Sequence, residues 1–370
     1  MDFDSDFALR DREFMRRALQ LATFGYGFTY TNPMVGAVIA TPSGRIIGEG
    51  WHRRFGAPHA EVNAVRSVSE ADRKLLAEST IYVTLEPCSH YGKTPPCAGM
   101  IVDERIPRVV IGAIDPFPAV AGRGIDMLRK AGCEVLSGVL EDECEALNLT
   151  FMTAHRLRRP FVMLKWAQSA NGYIAAQQPT DYRGRTIIST PLSSVAMHRL
   201  RASFQAIMVG VNTVIADNPR LDCRLWPAAH RPLPVSRESS RLPDDSHFMQ
   251  REHILRGAGE HLEDFLNRLY TDNKITALLV EGGRETLQEL LDLGLFDMLR
   301  VETSPALPDG GVKAPSFDPS QLVSLAPAAD YPAPQSQLLS SSRFGANTVA
   351  LYAAPHIPAP YIRAFFDHCG

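Results

Sequence analysis

The chain contains the segment Pro87-Cys88-Ser-His-Tyr-Gly-Lys-Thr-Pro-Pro-Cys97, and the triplet His59-Ala-Glu61 precedes it. Zinc prefers thiolate and imidazole ligands in tetrahedral geometry, and a catalytic zinc keeps its fourth position open for water. One histidine and two cysteines supply three such ligands, and the two thiolates neutralise the charge of the dication. The pattern therefore predicts a zinc site formed by His59, Cys88 and Cys97.

Glu61 stands two positions after the histidine, near enough to reach a zinc-bound water without being a ligand. There it can take the proton of the attacking water and deliver it to a leaving amine. The order His-x-Glu followed by Pro-Cys and a second Cys is typical of zinc nucleobase deaminases. This chain differs in having eight residues, rather than two, between its cysteines. A longer loop still permits both ligands, so we expect Glu61 to be the catalytic acid–base residue.

Two alternatives stay open at this point. A structural zinc site has four protein ligands, and His90 is available as the fourth. A buried cluster of His and Cys without metal is the other alternative. Glu61 would have no function beside a structural zinc, and its position therefore favours a catalytic zinc. The remaining cysteines have no His or Cys at ligand spacing and are predicted to be ordinary thiols: Cys133, Cys144, Cys223 and Cys369.

The length and composition indicate a globular protein of about two domains. The chain has 370 residues, 45% of them hydrophobic and 21% charged, and a net charge of −3. This charge balance gives no reason to expect nucleic acid or an anionic membrane as a partner. The N-terminal Met1-Asp-Phe-Asp-Ser-Asp is acidic, whereas a leader peptide is basic, so we expect a cytoplasmic protein. Six cysteines are too few for a disulfide scaffold.

Strand and helix patterns alternate along the first half. Apolar spacing predicts a helix over 9–24, with Asp11 as its N-cap, and a second helix over 59–68. A turn leads into a strand over 32–40, further short buried strands are predicted at 81–85 and 108–114, and helices are expected near Cys97 and over 125–131. This alternation indicates an α/β layer architecture that closes near residue 150.

The second half starts after a short charged connector, Arg156-Leu-Arg-Arg-Pro160. New strands are predicted at 161–166 and 277–281, and a helix ends before a strand within 201–209. Two proline-rich stretches, 227–247 and 304–341, are predicted to be loops or irregular edges. The two halves differ in pattern, so they are expected to be unlike domains rather than a duplication.

Several segments of the first half closely resemble one family, the bifunctional deaminase/reductase of riboflavin biosynthesis. They are Asn32-Pro-Met-Val-Gly36, Gly56–Val62, Thr84–His90, Gly92–Cys97 and Asp115–Gly124. The resemblance implies a cytidine-deaminase-like three-layer α/β/α domain over residues 1–150. It also implies zinc-dependent deamination of 2,5-diamino-6-ribosylamino-4(3H)-pyrimidinone 5′-phosphate. Thr31 and Ala37 depart from the family's usual residues, and neither is a ligand.

Polar residues follow the predicted strands of the second half. Glu281-Gly-Gly-Arg284 joins a strand to a helix start, at which glycine and free backbone N–H groups can hold a phosphate. These segments resemble the reductase domain of the same family, which implies a dihydrofolate-reductase-like α/β fold over 151–370 and NADPH as cofactor. By this resemblance the dinucleotide contacts are Ala167, Ile187, Thr213, Asp217, Gly283, Arg284, Glu285, Thr286, Leu287, Gln288 and Glu289. The contacts to the ribosylaminouracil phosphate are Arg185, Arg201, Leu221, Arg224 and Glu281.

The reductase half departs more from the family. Asn171 stands in place of the usual Asp, and Ala170 in place of Leu. The segment 226–247 cannot be aligned with the family, so the residue that binds the 2′-phosphate of NADPH cannot be identified from the sequence. A monofunctional deaminase with a degenerate reductase-like domain is therefore the alternative. A tRNA or nucleoside deaminase would require a basic face or stacking aromatics, which the composition does not supply. We expect a small-molecule substrate, no nucleic acid and no membrane, and leave homo-oligomerisation open.

Overall fold

A computed structural model describes residues 3–30, 32–89, 96–117, 121–177, 187–318 and 341–357. The chain divides into two compact units, Met1–Arg156 and Leu157–Gly370. The boundary expected at residue 150 lies inside helix α6 (Leu149–Leu157), whose Met152 packs in the core of the first unit. The division therefore falls near the end of this helix rather than at its start.

The first unit is built on one five-stranded sheet. Its strands are β1 (Gly36–Ala40), β2 (Ile46–Trp51), β3 (Thr80–Leu85), β4 (Arg108–Ala113) and β5 (Glu134–Ser137). The order is β2-β1-β3-β4-β5, with β1 antiparallel to both neighbours and β3, β4 and β5 parallel. Every residue of β1 is buried, so both faces of the sheet are covered at this strand.

Helices cover the sheet in two groups. They are α1 (Phe3–Thr23), α2 (Ala60–Ser67), α3 (Cys97–Asp103), α4 (Arg123–Lys130), α5 (Glu141–Leu147) and α6, with a 3₁₀ segment at Glu70–Glu78. α1 contacts α5, whereas α3 contacts both α2 and α4. The sheet thus lies between two helical layers. The helices and strands predicted for this half are present, but α1 begins at Phe3, six residues before the predicted start.

Asp11 is not the N-cap that the sequence suggested. It lies inside α1 and is buried, and its carboxylate accepts two hydrogen bonds from Arg108, at 2.9 and 2.8 Å, and one from the hydroxyl of Tyr82 at 3.0 Å. The residue therefore connects α1 to β3 and β4. The apolar pattern could not reveal this, because both partners are distant in sequence.

Helix α2 rests directly on the backbone of β2 at Gly50. A Cβ atom added there would lie 2.4 Å from the carbonyl oxygen of Ala60 and 2.3 Å from the amide nitrogen of Ala64. Any larger residue would push the helix away from the sheet. Because His59 immediately precedes this helix, the glycine helps to fix the position of the histidine.

The second unit is built on an eight-stranded sheet and a two-stranded ribbon. Its strands are β6 (Phe161–Ser169), β7 (Tyr173–Ala176), β8 (Ala206–Met208), β9 (Leu233–Arg237), β10 (Ile254–Arg256), β11 (Ala277–Val280), β12 (Met298–Ser304), β13 (Gly311–Lys313), β14 (Ser341–Phe344) and β15 (Asn347–Ala353). The order of the large sheet is β10-β9-β8-β11-β6-β12-β15-β14, parallel as far as β12 and antiparallel beyond it. β7 and β13 form the ribbon.

The helices of this unit are α7 (Pro191–Arg201), α8 (Val211–Asp217), α9 (Leu262–Thr271) and α10 (Arg284–Asp292). The predicted strands at 161–166 and 277–281 are confirmed. The stretch 227–247 is not wholly irregular, since it contains β9, whose inner residues are buried between two parallel neighbours. The prolines of this stretch indicated a loop, and for that reason the short strand β9 was not predicted. Among the described residues, no helix is long and apolar enough to cross a membrane.

Candidate active sites

The three predicted metal ligands come together at the ends of three elements. His59 immediately precedes α2, Cys88 follows β3, and Cys97 is the first residue of α3. The Nδ1 atom of His59 is 3.6 Å from Sγ of Cys88 and 3.3 Å from Sγ of Cys97, and all three donor atoms lie within 4.8 Å of one another. Bonds of about 2.0–2.3 Å at tetrahedral angles place such atoms about 3.5–3.8 Å apart, so the donor set fits zinc.

The two cysteines interact directly with each other. Cys88 accepts from the thiol of Cys97 and from its backbone N–H, at an N–Sγ distance of 3.3 Å, and these bonds lower the pKa of Cys88 to about 4. The same interaction, together with burial, raises the pKa of Cys97. Thiolates rather than thiols are metal ligands. Binding of a dication would therefore find one thiolate already formed and would release the remaining proton.

Glu61 lies in the first turn of α2 and is 3% exposed. Burial raises the pKa of its carboxyl, and the nearby His59 partly opposes this shift. The side chain also interacts with the thiol of Cys97, which places it beside the ligand cluster. A carboxyl with a raised pKa next to a metal site is suited to taking up and releasing a proton near neutral pH.

His52 holds the loop that leads into the metal site. Its Nδ1 atom lies 3.2 Å from the carbonyl oxygen of Pro58, and its Nε2 atom lies 3.1 Å from Nδ2 of Asn32. Burial lowers the pKa of His52, so the neutral ring can donate to Pro58 and accept from Asn32. Pro58 directly precedes His59, and the hydrogen bonds therefore orient the ligand. Sequence analysis assigned no role to His52.

Glu86 is a second residue whose role the sequence analysis missed. It is buried, and its carboxylate accepts backbone N–H bonds from Gly122 at 3.0 Å and Gly124 at 2.9 Å, at the start of α4. A Cβ atom added to Gly124 would lie 2.1 Å from the carbonyl oxygen of Pro87. Glu86 and this glycine thus hold the segment before α4 against the turn that carries Cys88. The sequence Glu-Pro-Cys was the available signal.

Some expectations for this half fall on parts of the chain that the structure does not describe. His90, the alternative fourth ligand, lies there with residues 91–95, and so do Thr31 and Cys369. Within the described residues, His59, Cys88 and Cys97 form the group able to hold a metal. Three of the other cysteines are free thiols outside this group: Cys133, Cys144 and Cys223.

In the second unit, predicted dinucleotide contacts lie at the carboxyl ends of β8 and β11. The N–H of Gly283 donates to Oγ1 of Thr213 at 2.8 Å, and a Cβ atom on Gly210 would lie 2.8 Å from Oγ1 of Thr286. Gly283 immediately precedes α10, whose first N–H groups have no partner within the helix. Close backbone approach and these N–H groups form a suitable cradle for a pyrophosphate.

Five other predicted dinucleotide residues lie at the surface or near the end of a helix or strand. Arg284 and Glu285 are exposed in the first turn of α10, and Asp217 ends α8. Ala167 is partly exposed on β6, and Ile187 is 79% exposed. All five are therefore open to a ligand or close to an element end.

The side chains of three residues in the predicted dinucleotide-binding run make contacts within the protein. Leu287 is fully buried in the core. Gln288 accepts from the backbone N–H of Ser316 at 2.7 Å and donates to its carbonyl at 3.1 Å. Glu289 pairs with Arg256 at 2.9 Å. In these contacts they support α10, and a direct contact with the dinucleotide would have to come from their backbone.

Two of the predicted phosphate-site residues form a buried ion pair. Arg201 donates to both carboxylate oxygens of Glu281, at 2.6 and 2.7 Å, and to the carbonyl of Asp222 at 3.1 Å. Burial opposes ionisation of Glu281, but Arg201 outweighs it and lowers the pKa of Glu281 to about 2. Most donors of this guanidinium are thus already engaged.

The remaining predicted substrate contacts differ in exposure. Leu221 is buried with φ +49°, and its carbonyl accepts from Arg251 at 3.2 Å. The side chain of Arg224 is 46% exposed and pairs with Asp222 at 2.6 Å. Arg185 lies outside the described residues. Arg224 is therefore better placed than Arg201 to meet a phosphate that enters from solvent.

Comparisons with known proteins cover both halves of the chain. Residues 9–113 match the cytidine and deoxycytidylate deaminase zinc-binding region, and residues 160–350 match the RibD C-terminal domain. The riboflavin biosynthesis protein RibD of Actinobacillus pleuropneumoniae is 37% identical over 332 residues, which are 82% of this chain and 85% of that protein. The RibD protein of Aquifex aeolicus is 36% identical over 326 residues, 82% of this chain and 89% of the relative.

The chain belongs to the RibD family. Solved structures agree with this membership. The RibD structure of Acinetobacter baumannii superposes with a TM-score of 0.78 at 29% identity, over 94% of this chain and 99% of that chain. The diaminohydroxyphosphoribosylaminopyrimidine deaminase/5-amino-6-(5-phosphoribosylamino)uracil reductase of Thermotoga maritima gives a TM-score of 0.77 at 32% identity, with the same coverage.

RibD membership confirms the predicted α/β fold class and the combination of a deaminase domain with a reductase domain. The first half is a cytidine-deaminase-like domain with a zinc-binding region, in which His59, Cys88 and Cys97 can hold a metal, and the second is a RibD C-terminal domain. The predicted combination of a hydrolase and an oxidoreductase in riboflavin biosynthesis is likewise confirmed. The roles of individual residues remain predictions.

One departure from the RibD pattern has a local explanation. Asn171 accepts from the hydroxyl of Ser169 at 2.7 Å and donates from Nδ2 to the carbonyl of Pro308 at 2.8 Å. The family's usual carboxylate cannot donate to a carbonyl. Asparagine is therefore the residue that satisfies both contacts in this chain.

The RibD-type reductase half also contains charged residues to which sequence analysis gave no role. Lys165 lies within β6, and burial lowers the pKa of its ammonium to about 8. Arg300 and Glu302 lie on the neighbouring strand β12, and both are buried. The available signal was a charged residue inside an otherwise apolar strand.

Proposed function

We propose that this chain catalyses two consecutive steps of riboflavin biosynthesis, one in each unit. The first is hydrolytic deamination of 2,5-diamino-6-ribosylamino-4(3H)-pyrimidinone 5′-phosphate. The second is NADPH-dependent reduction of the ribosyl chain of the deaminated product. The convergence of His59, Cys88 and Cys97 beside a buried Glu61 is the observation that carries the proposal, because this set has the residue composition of a deaminase zinc centre and its donor atoms lie within 4.8 Å of one another.

In the deamination, His59, Cys88 and Cys97 would hold zinc, and Glu61 would move protons. Zinc, when bound, supplies the activation of water. Glu61 takes a proton from the attacking water and returns it to the ring amino group, which leaves as ammonia while a ring carbonyl forms. The raised pKa of Glu61 supports this role, since a carboxyl must hold the proton between these two transfers.

The surrounding residues keep this arrangement in place. His52 orients the residue before His59, and Asn32 is fixed by its hydrogen bond to His52. Glu86 anchors the segment before α4 beside the turn of Cys88. Such supporting contacts limit the freedom of the reacting groups, on which catalysis by orientation depends.

In the reduction, the residues of the second unit bind and orient the two reactants. NADPH, when bound, supplies the hydride. Gly283, Thr213 and the start of α10 would hold its pyrophosphate, and Ala167 would lie beside its reactive end. Arg224 would bind the substrate phosphate, with the ion pair of Arg201 and Glu281 forming the adjoining wall. No protein nucleophile is needed, since the enzyme's contribution is placement and exclusion of water.

We further propose that the enzyme acts in the cytoplasm on a small-molecule substrate and without nucleic acid. The balanced charge of the chain supports the absence of a nucleic-acid partner, since it provides no excess of positive charge to attract a phosphate backbone.

The test is incubation of the purified protein with the diaminopyrimidinone phosphate, with and without NADPH, followed by mass analysis. Without NADPH we expect the product in which one oxygen replaces one NH group. With NADPH we expect that product to gain two hydrogen atoms. Deamination without any reduction would indicate a degenerate reductase-like domain, and no change in either reaction would refute the proposal.

A further inference from the structure

The loop that carries Arg224, over residues 218–225, contains two residues with left-handed backbone. Asn218 caps the end of α8 with φ +39°, and Leu221 follows three residues later with φ +49°. Asparagine tolerates this conformation, whereas for leucine it is unfavourable because Cβ lies too close to the following carbonyl oxygen. Such a conformation persists only where surrounding contacts determine it. The loop therefore depends on groups that hold its backbone at Leu221.

Arg251 makes these contacts. Its Nη1 atom donates to the carbonyl oxygens of Arg220 at 2.9 Å and Leu221 at 3.2 Å, and its Nη2 atom donates to the carbonyl oxygen of Pro232 at 3.1 Å. The φ angle of Leu221 is the rotation that separates the carbonyl carbons of residues 220 and 221. Because one nitrogen binds the oxygens at both ends of this rotation, Arg251 holds φ in the left-handed region.

Arg251 belongs to a turn that is itself anchored. Phe248, three residues earlier, is fully buried, and its carbonyl accepts from the backbone N–H of Arg251 at 3.4 Å. The N–H of His247 donates to Oδ1 of Asn218 at 2.8 Å. The turn thus contacts the loop at two places, through its own backbone and through the guanidinium.

Helix α7 holds the other end of the loop. Nη1 of Arg201 donates to the carbonyl of Asp222 at 3.1 Å, and Nδ1 of His198 accepts from the N–H of Leu225 at 3.4 Å. Burial lowers the pKa of His198 to about 4, so near neutral pH its ring is uncharged and can accept. Arg224 lies between these two contacts, and its side chain is 46% exposed. The backbone is thus fixed on both sides while the guanidinium of Arg224 stays open to solvent.

We propose that Arg251 is a positioning residue of the reductase half, which holds the loop so that Arg224 meets the substrate phosphate. All three side-chain contacts described for Arg251 are to carbonyl oxygens, so it acts on the backbone and does not touch the substrate. The inference rests on the proposed reductase function and on the phosphate role of Arg224. It gives a role to the stretch 226–280, in which the resemblance to the family assigned no site residue.

Loss of Arg251 should act through the population of the binding-competent loop. The left-handed conformation of a lone leucine is disfavoured roughly tenfold, so without these hydrogen bonds the loop would hold its shape about one tenth of the time. The apparent affinity for a ligand falls by the same fraction. KM for the phosphorylated substrate should therefore rise roughly tenfold in Arg251→Met, whereas kcat and KM for NADPH should not change.

The experiment measures reduction of the deaminated substrate, with and without its phosphate, by Arg251→Met, Arg251→Lys and the unchanged protein. Arg251→Met should lose roughly tenfold of the preference for the phosphorylated form, with the dephosphorylated form used as before. Arg251→Lys keeps the charge and one donor nitrogen, and should raise KM less than Arg251→Met. Arg268→Met is the matched control, because Arg268 also donates to a backbone carbonyl, that of Leu255 at 3.1 Å, but from α9. It should change neither KM.

A double variant tests whether Arg251 acts through Arg224. If it does, Arg224→Ala/Arg251→Met should have the same KM as Arg224→Ala alone, since the loop then has no guanidinium to place. Multiplied effects of the two substitutions would show that Arg251 binds the phosphate itself, and would overturn its positioning role. An unchanged KM for the phosphorylated substrate in both Arg251→Met and Arg251→Lys would overturn it as well.

Calorimetric titration with ribose 5-phosphate and with NADPH separates this inference from the proposed function, because neither titration requires turnover. Arg251→Met should bind ribose 5-phosphate roughly tenfold more weakly and NADPH as tightly as the unchanged protein does. Weakened binding of both would make the arginine merely structural, and Arg251→Lys is titrated in the same way in case Arg251→Met does not fold. An unchanged protein that binds both probes but never oxidises NADPH would contradict the proposed function, and the ribose 5-phosphate titrations would still decide the role of Arg251.

Discussion

Replacement of Glu61 by glutamine isolates the chemistry of the deaminase site from its structure. The side chain is 3% exposed, and burial raises the pKa of its carboxyl, so the site already disfavours the charged form. The amide has the same shape and no charge to desolvate. We therefore expect Glu61→Gln to keep its fold and its zinc. Deamination should fall roughly 10²–10⁴-fold, the usual contribution of a general acid–base group.

The assay combines ammonia release with metal analysis and thermal unfolding of the same preparation. Glu134→Gln is the matched control, because this carboxylate is 70% exposed on β5 and pairs only with Arg108 among the contacts described for it. It should deaminate at the unchanged rate. Near-normal deamination by Glu61→Gln would show that another group carries the proton. Loss of zinc from that variant would show that Glu61 is a ligand rather than an acid–base residue.

Three further predictions test the other assignments. Cys88→Ser should lose zinc and deaminase activity together, since only two ligands remain, and full zinc occupancy in a Cys88→Ser/Cys97→Ser variant would refute the ligand set. Arg224→Ala should lower kcat/KM for reduction roughly 10–100-fold through loss of a charged phosphate contact, and an unchanged KM for the phosphorylated substrate would remove Arg224 from the site. The pKa of Glu281 is lowered from 4.5 to about 2, so its ion pair stabilises the fold above pH 4.5 and this stabilisation is lost as pH falls toward 2. Glu281→Gln should lose this part of the acid dependence in thermal unfolding, and an unchanged dependence would show that the pair contributes nothing.

The zinc centre could be predicted from sequence because its chemistry is local. His59 and Glu61 are two residues apart on one helix start, and both cysteines belong to one short segment. The supporting contacts could not be predicted in the same way. Glu86 stands out only by preceding Pro87-Cys88, and its partners are the backbone N–H groups of Gly122 and Gly124, which carry no sequence signal.

The reductase half was harder to predict because its site is assembled across several strands. Arg201 and Glu281 are 80 residues apart, and Lys165 and Arg300 are neighbours only through strand register. Periodicity located β6, β8 and β11 but missed β9, and it did not reveal the order of the strands in the sheet. The resemblance supplied candidate residues, but it could not show that Leu287 faces the core.

The most direct test of the two-site account is to assay both half-reactions separately on Glu61→Gln and Arg224→Ala. Glu61→Gln should lose deamination while reducing the deaminated ribosylaminouracil phosphate with NADPH at nearly the unchanged rate. Arg224→Ala should show the reverse, with weakened reduction and intact deamination. Loss of deamination in Arg224→Ala with reduction spared would contradict the assignment of one reaction to each unit.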